Sequence, residues 1–353
     1  MPAINKPNQH FDVATWTGTN TAAAVTISSL NFQPDLVWGK SRTSAYSHGI
    51  HDSVRGTAAG RLQSQSTAAE VAPGSFAYGS VSAFNSNGFT ASPGSSTNEN
   101  WNETSSNHVA WCWKAGGTAV TNNDGTITSQ VSANPTAGFS VVTYSANGST
   151  GTVGHGLGVA PSMIIVKKRN AVERWCVFHT STSNAYLYLN ETNAAETGNA
   201  NLRFGNNSSV VQPSSTVFTI GSSNDVNGTS GTYVAYCFAA VAGYSAFGSY
   251  TGNGSADGPF VYTGFRPRFV MVKASSSASN WFLWDTARNT YNATTTPLFP
   301  NGSAAEEATL YPIDVLSNGF KLRSTAGLGP NENALTYIYM AFAEAPFKFS
   351  NGR

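Results

Sequence analysis

The sequence predicts an all-β chain of three tandem β-sandwich copies, jelly-roll or lectin-like in type. Three observations carry that prediction. Pro34, Pro161 and Pro267 are each followed six residues later by a lysine (Lys40, Lys167, Lys273), then twelve residues later by Asp52, His179 or Asp285. One spacing at three places marks an internal repeat. Short apolar runs alternate with Gly, Asn, Ser and Thr turn signals, and sustained helical periodicity is absent. Charged residues make up only 10% of the chain while aromatics reach 12%, a composition of rigid, turn-rich β-protein and not of disorder.

Each copy can be followed outward from its proline. A first strand, Phe11–Thr17 in copy one, leads to an aromatic turn signal at Trp16, Tyr144 or Tyr250. These aromatics are expected at the edge of a core. After the proline, Leu36-Val37-Trp38, Met163-Ile164-Ile165-Val166 and Phe269-Val270-Met271-Val272 are apolar on both faces. Such a strand needs cover on both sides, so it is central in a packed sheet. A proline at strand entry is harmless there. The second strand follows a polar loop and ends on Asp52, His179 or Asp285. With the loop centred near Tyr46, Lys40 faces Asp52 and Lys273 faces Asp285 as cross-strand ion pairs. Lys167 faces His179, which makes no strong ion pair near neutral pH.

Farther on, Ala-Ala-Glu recurs at Glu70, Glu196 and Glu306, with short helix candidates at residues 66–71 and 303–310. Strand starts follow at Phe89, Phe218 and Phe320. Each copy closes on an aromatic strand, His108-Val-Ala-Trp-Cys-Trp, Tyr233-Val-Ala-Tyr-Cys-Phe or Tyr337-Ile-Tyr-Met-Ala-Phe. The expected division is 1–116 for the first sandwich, 117–243 for a linker plus the second, and 244–353 for the third. The linker carries a turn at Asn123-Asp124-Gly125 and a candidate strand at Thr126-Ile127-Thr128. Its length predicts copies two and three abutted and copy one more independent.

A net charge of +1 gives no field to steer a nucleic-acid duplex, so none is expected as partner. Cys112 and Cys237 hold one repeat position where copy three has Ala341. They read as small buried thiols and not as a disulfide or metal set, and no metal or cofactor is expected. The opening MPAINKPNQHF shows no apolar signal core. No run approaches the ~20 apolar residues of a membrane span, so no membrane insertion is expected.

Chemistry has few candidates. His48 and His51 lie near Asp52 and Glu70 in sequence pattern, but lack counterparts in the other copies and any HExxH or CxxC spacing. His155 sits in a glycine turn. Asp52 with Glu70 and Asp285 with Glu306 resemble glycosidase pairs, yet a carboxylate repeated at a structural position serves a turn or a cross-strand contact. No catalytic residue is assigned, and the expectation is a non-enzyme. Trp101, between Asn100 and Asn102, is read either as a loop plug or as a glycan-binding platform with those two asparagines.

Several stretches resemble a known family. They are Trp111-Cys112-Trp113-Lys114-Ala115-Gly116-Gly117-Thr118 with Asp124-Gly125-Thr126-Ile127, Gly154-His155-Gly156-Leu157-Gly158-Val159-Ala160-Pro161, Phe247-Gly248-Ser249-Tyr250-Thr251-Gly252-Asn253-Gly254, and Ile338-Tyr339-Met340-Ala341-Phe342-Ala343-Glu344. Together they look like virion structural proteins of tailed phages of marine bacteria, whose members are described as tail-fibre-like, appendage or lectin-like. The resemblance runs over nearly the whole chain. It implies a tail fibre or tail appendage component of the virion, made in the host cytoplasm and used in host attachment. Implied partners are other virion proteins, further copies of the chain with a trimer favoured, and host surface glycans. A head-surface decoration protein is the alternative, and a polysaccharide-degrading enzyme a third reading. Coiled-coil heptads are absent, which favours a compact appendage over a fibre shaft.

Overall fold

The computed structural model describes residues 4–20, 22–71, 79–94, 101–308, 311–325, 327 and 329–344. Copy one contributes β1 (Phe11–Thr17), β2 (Val25–Ile27), β3 (Leu36–Ser41), β4 (Gly49–Asp52), β5 (Ser80–Asn85), β6 (Gly88–Ser92) and β7 (Asn107–Trp113). The linker adds β8 (Val120–Asn122) and β9 (Ser129–Asn134). Copy two contains β10 (Phe139–Ser145), β11 (Gly151–Gly154), β12 (Met163–Lys168), β13 (Trp175–His179), β14 (Leu187–Tyr188), β15 (Val217–Ile220) and β16 (Thr232–Phe238), with a short helix, α1 (Asn224–Asn227), before β16. Copy three contains β17 (Ser245–Thr251), β18 (Phe260–Tyr262), β19 (Pro267–Ala274), β20 (Trp281–Asp285), β21 (Ile313–Leu316), β22 (Gly319–Leu322) and β23 (Thr336–Ala343).

The large sheets run β1-β7-β3-β4, β14-β13-β12-β16-β10-β9-β8 and β17-β23-β19-β20. With β8, β9 and β14 set aside, each reads first strand, last strand, third, fourth. All of these pairings are antiparallel. The small sheets, β2-β6-β5, β11-β15 and β18-β22-β21, supply the opposing layers. In copy one, Val37, Ala110 and Cys112 of the large sheet pack with Ile27, Phe89 and Ala91 of the small one. Copies two and three have interiors of the same kind. The chain is thus all-β, built of sandwiched antiparallel sheets.

What covers the second apolar face of β3, β12 and β19 is the other two copies. A further core cluster draws on all three, and includes Leu36, Trp38, Ile165, Phe269 and Met271. Its centre is the closing strands. Their alternate residues form three layers: Trp113, Phe238 and Phe342, then Trp111, Tyr236 and Met340, then Val109, Val234 and Ile338. The first layer is a triangle of rings with centroids 5.9, 5.7 and 6.1 Å apart. One ring from each copy meets at near-equal distance, as expected when three like units close head to tail into a ring.

Three sequence expectations change here. Copy one is not more independent, because its Phe11, Trp111 and Trp113 stand in the common core. Residues 66–71 and 303–308 are not helical; Glu70 and Glu306 give their backbone amides to Arg169 and Arg42 of a neighbouring copy. Thr126-Ile127-Thr128 is not a strand; Ile127 makes an isolated parallel bridge to Val153, and the strands lie on either side of it.

Candidate functional site

The repeated lysines and acids do not face each other. The β3–β4 register sets Leu36 opposite Asp52, Met163 opposite His179 and Phe269 opposite Asp285. The copy-one loop is centred near Ser44 and not Tyr46, so Lys40 lies four residues beyond Asp52's partner, about 13 Å away along the strand. The two residue types serve different clasps between copies.

Asp52 accepts from Arg55 Nε at 2.5 Å and, across the copy boundary, from the Tyr236 hydroxyl at 2.8 Å. Asp285 accepts from Arg288 Nε at 2.6 Å and from Trp111 Nε1 at 3.0 Å. His179 reaches the Tyr339 carbonyl with Nε2 at 3.1 Å, while its Nδ1 accepts from the Ser181 amide. The contacts run copy one to two, two to three and three to one. The exception in copy two has a chemical reason. Trp111, Tyr236 and Met340 hold one repeat position, and methionine offers no proton to a carboxylate. A neutral imidazole instead donates to the adjacent backbone carbonyl. Burial lowers the His179 pKa to about 4, which keeps it neutral.

The Ala-Ala-Glu segments form a second ring of contacts. The Glu70 amide donates to the Arg169 carbonyl (2.7 Å), Ala195 to Ser275 (2.8 Å) and Glu306 to Arg42 (2.8 Å), each in the next copy. The Glu70 carboxylate pairs with Arg169 and Arg55, and that of Glu306 with Arg42 and Arg288. Copy three has Ser275 at the arginine position, and Glu196 turns to the Tyr186 hydroxyl of its own copy at 2.6 Å. The four glycosidase suspects are therefore interior ion-pair partners. The side chains of Asp52 and Asp285 are 0% exposed, and those of Glu70 and Glu306 are 12% and 10% exposed.

Two of the three lysines hold the same segments. Lys167 Nζ donates to Thr67 O (3.1 Å) in copy one and to Glu173 O (2.7 Å). Lys273 Nζ donates to Thr192 O (3.2 Å) in copy two and to Ala274 O (2.7 Å). Lys40 Nζ donates to Ser41 O and Ser44 O. Desolvation lowers Lys167 to about 8 and Lys273 to about 7. A neutral amine has two N–H bonds, enough for the two carbonyls that Lys167 and Lys273 each meet. Between pH ~7 and the unfolded value of ~10.4, the unfolded chain binds a proton at Lys273 that the folded chain does not. Stability therefore rises with pH across that window. Lys273→Met is expected to flatten the rise, as measured by urea denaturation at intervals from pH 7 to 10; an unchanged slope would exclude Lys273 as its source.

Histidine 48 also belongs to a repeated clasp. Its Nδ1 accepts from Trp38 Nε1 at 2.9 Å, and its Nε2 meets Phe299 O of copy three at 3.0 Å. Trp175 Nε1 likewise donates to Gln63 O of copy one, and Trp281 Nε1 to Tyr188 O of copy two, both at 2.9 Å. So His48 does have counterparts, of a different residue type. His51 points to the opposite face of β4, with its ring 5.6 Å from Trp101.

Trp101 is a plug. It is 4% exposed, and its ring fills the space above Gly39 and Gly49, where any Cβ would meet it at 2.5 and 2.6 Å. Asn102 is buried, accepting from the Thr19 amide and donating to Ala23 O. Asn227 and Asn331 repeat this role for Asn147 and Asn253. Just before each asparagine, a carbonyl (Trp101, Val226, Pro330) accepts from Trp16, Tyr144 or Tyr250. The glycan platform at Trp101 and Asn102 is thereby overturned: these side chains are interior pins. Asn100 lies outside the described residues.

Features outside the shared clasps differ between copies. In copy two, the Arg203 guanidinium lies 4.2 Å from the Tyr186 ring and pairs with Asp225 at 2.8 Å, while Arg174 lies 4.0 Å from Tyr188. This cluster holds α1 against β12 and β13. In copy three, Phe260 and Tyr262 of β18 are 45% and 66% exposed. All three cysteines are buried and free. Among the described residues, no group of three or more His, Cys, Asp or Glu is placed to hold a metal ion.

Fold and site together define an all-β chain whose repeated copies interlock in a ring around one aromatic core. The chain belongs to the family described as a domain of unknown function (DUF7483), whose model matches residues 6–346. No curated protein and no solved structure matches it.

Proposed function

We propose that the chain is a structural component of a tailed-phage particle: a tail fibre or tail appendage module that joins other virion proteins and contacts the host surface. The supporting observation is the closed ring of copies around the Trp113, Phe238 and Phe342 triangle. Copies tied by a common core and by buried clasps in all three directions brace one another. A body so braced suits a load-bearing position on a particle surface better than a flexible tether does. Its repeated carboxylates and lysines act within that framework, as the clasps of the previous section.

Adsorption blocking tests the host-contact role. Purified chain at saturation is expected to reduce phage adsorption to host cells several-fold; unchanged adsorption counts against it. A head-surface decoration role is the second reading, because a ring of three like copies matches a lattice point where three subunits meet. Labelling of intact particles with an antibody against the chain, viewed by electron microscopy, separates the two, with label at the tail tip expected and label over the head favouring decoration. Self-association into trimers belongs to the same proposal. Light scattering on the purified chain is expected to give the mass of three chains, and a monomer would remove that part.

A further inference from the structure

We infer that the outer face of the β18-β22-β21 sheet is a binding surface for neutral polysaccharide. This rests on the host-contact reading and assigns the contact to a place. Register puts Phe260, Lys321 and Asp314 side by side across this face, with Tyr262 beside Gly319 in the next row. Val261, Phe320 and Val315 point the other way, into the copy-three interior. The aromatic pair is therefore outside by register, and its exposure is not a packing accident.

Comparison with the sister copies isolates what is special here. The positions of Phe260 and Lys321 are held by Thr26 and Thr90 in copy one, and by Thr152 and Thr219 in copy two. Thr26 and Thr90 simply hydrogen-bond each other at 3.0 Å. The scaffold is satisfied by threonine at both places, so the fold does not require an exposed aromatic there. The Phe260 ring lies across Gly319, where a Cβ would meet it at 2.9 Å. A flat ring over a residue without a side chain makes a platform.

The polar groups around it decide the ligand class. Lys321 pairs with Asp257 at 2.5 Å, and Arg323 pairs with Asp314 at 2.6 Å. Two cations and two carboxylates leave the face neutral, which gives a polyanion or a polycation no net attraction. Donors and acceptors nonetheless stand ready beside two aromatic faces. That combination matches a neutral polyhydroxylated chain, whose C–H faces stack on rings while its hydroxyls both donate and accept.

The test is affinity electrophoresis in native gels containing dextran, mannan or galactan, with alginate as the anionic comparison. The wild-type chain is expected to be retarded by at least one neutral glycan and not by alginate alone. Phe260→Thr with Tyr262→Ala is expected to weaken that retardation about tenfold without lowering Tm, whereas Thr26→Ala on copy one leaves it intact. Absence of retardation in every neutral gel, or equal retardation of the double variant, overturns the assignment. So does a self-associated species in sedimentation velocity that the double variant abolishes without any retardation, since the occupant would then be a second copy. Adsorption blocking with both proteins separates the two levels. A double variant that blocks as well as wild type removes this face but leaves the host-contact role, whereas failure of the wild type to block removes the role itself.

Discussion

Trp113→Ala is expected to destabilise all three copies together, by about 3–5 kcal/mol. The indole is fully buried and touches rings from both other copies, with Phe238 at 5.9 Å and Phe342 at 5.7 Å. Neither neighbour can collapse into the vacated space without disturbing its own sheet. Against a total stability of roughly 5–15 kcal/mol for a typical protein, that loss is a large fraction. Denaturant titration followed by tryptophan fluorescence and by far-UV circular dichroism is expected to give one coincident transition, shifted to lower denaturant in the variant. Separate transitions, with only one displaced, would show that the copies do not depend on a common core.

The second large effect is at Asp285. Asp285→Ala leaves the Arg288 guanidinium, 0% exposed at its side chain, without its close partner, and leaves Trp111 Nε1 without an acceptor. Removing one member of a buried pair typically costs about 3–5 kcal/mol, because the remaining charge stays desolvated. Copy two shows what a tolerated replacement looks like: His179 stands at this position, and Thr182 stands where Arg55 and Arg288 stand in the other copies. Asp285→His combined with Arg288→Thr is therefore expected to be more stable than Asp285→His alone by roughly 1 kcal/mol or more. Strict additivity of the two substitutions would refute the coupling. The acid limb carries the same signature. Burial alone would raise the Asp285 pKa, but Arg288 and the donors around it outweigh that and hold it below its ordinary value. Its contribution is full above about pH 3.9 and is lost as pH falls through the lower folded value. The Asp285→Ala variant is expected to lose less stability on acidification than the wild type.

Much of the fold was legible because repetition supplied what a single copy could not. The predicted strand Phe11–Thr17 is β1, and the strands ending on Asp52, His179 and Asp285 are β4, β13 and β20. The doubly apolar runs after the prolines correctly signalled cover on both faces. Nothing in them said that the second cover comes from two sister copies, since periodicity reports burial and not its partner. The Lys–Asp pairing failed because equal spacing does not fix register; a loop centre displaced by two residues moves every pairing by four. The true partner was visible in Asp52-Ser-Val-Arg55 and Asp285-Thr-Ala-Arg288, and in the loss of both acid and arginine from copy two. Trp101 was misleading because its polar neighbours in sequence suggested a loop surface. Only Gly39 and Gly49, far away in sequence, leave the hollow that it fills. The outer pair Phe260 and Tyr262 was missed because Phe-Val-Tyr reads as any half-buried strand until the threonines of the sister copies are aligned with it.

Linking the three copies in one polypeptide also has a genetic consequence. In an assembly of identical separate subunits, any substitution appears three times, so a residue useful at one position is imposed on all. Here a codon change alters a single sector while the other two keep their original faces, as the threonine-to-phenylalanine difference on β18 illustrates. Closure is intramolecular as well, so dilution does not take the ring apart. The molecule keeps the mutual bracing of a trimer and is free to vary one side at a time.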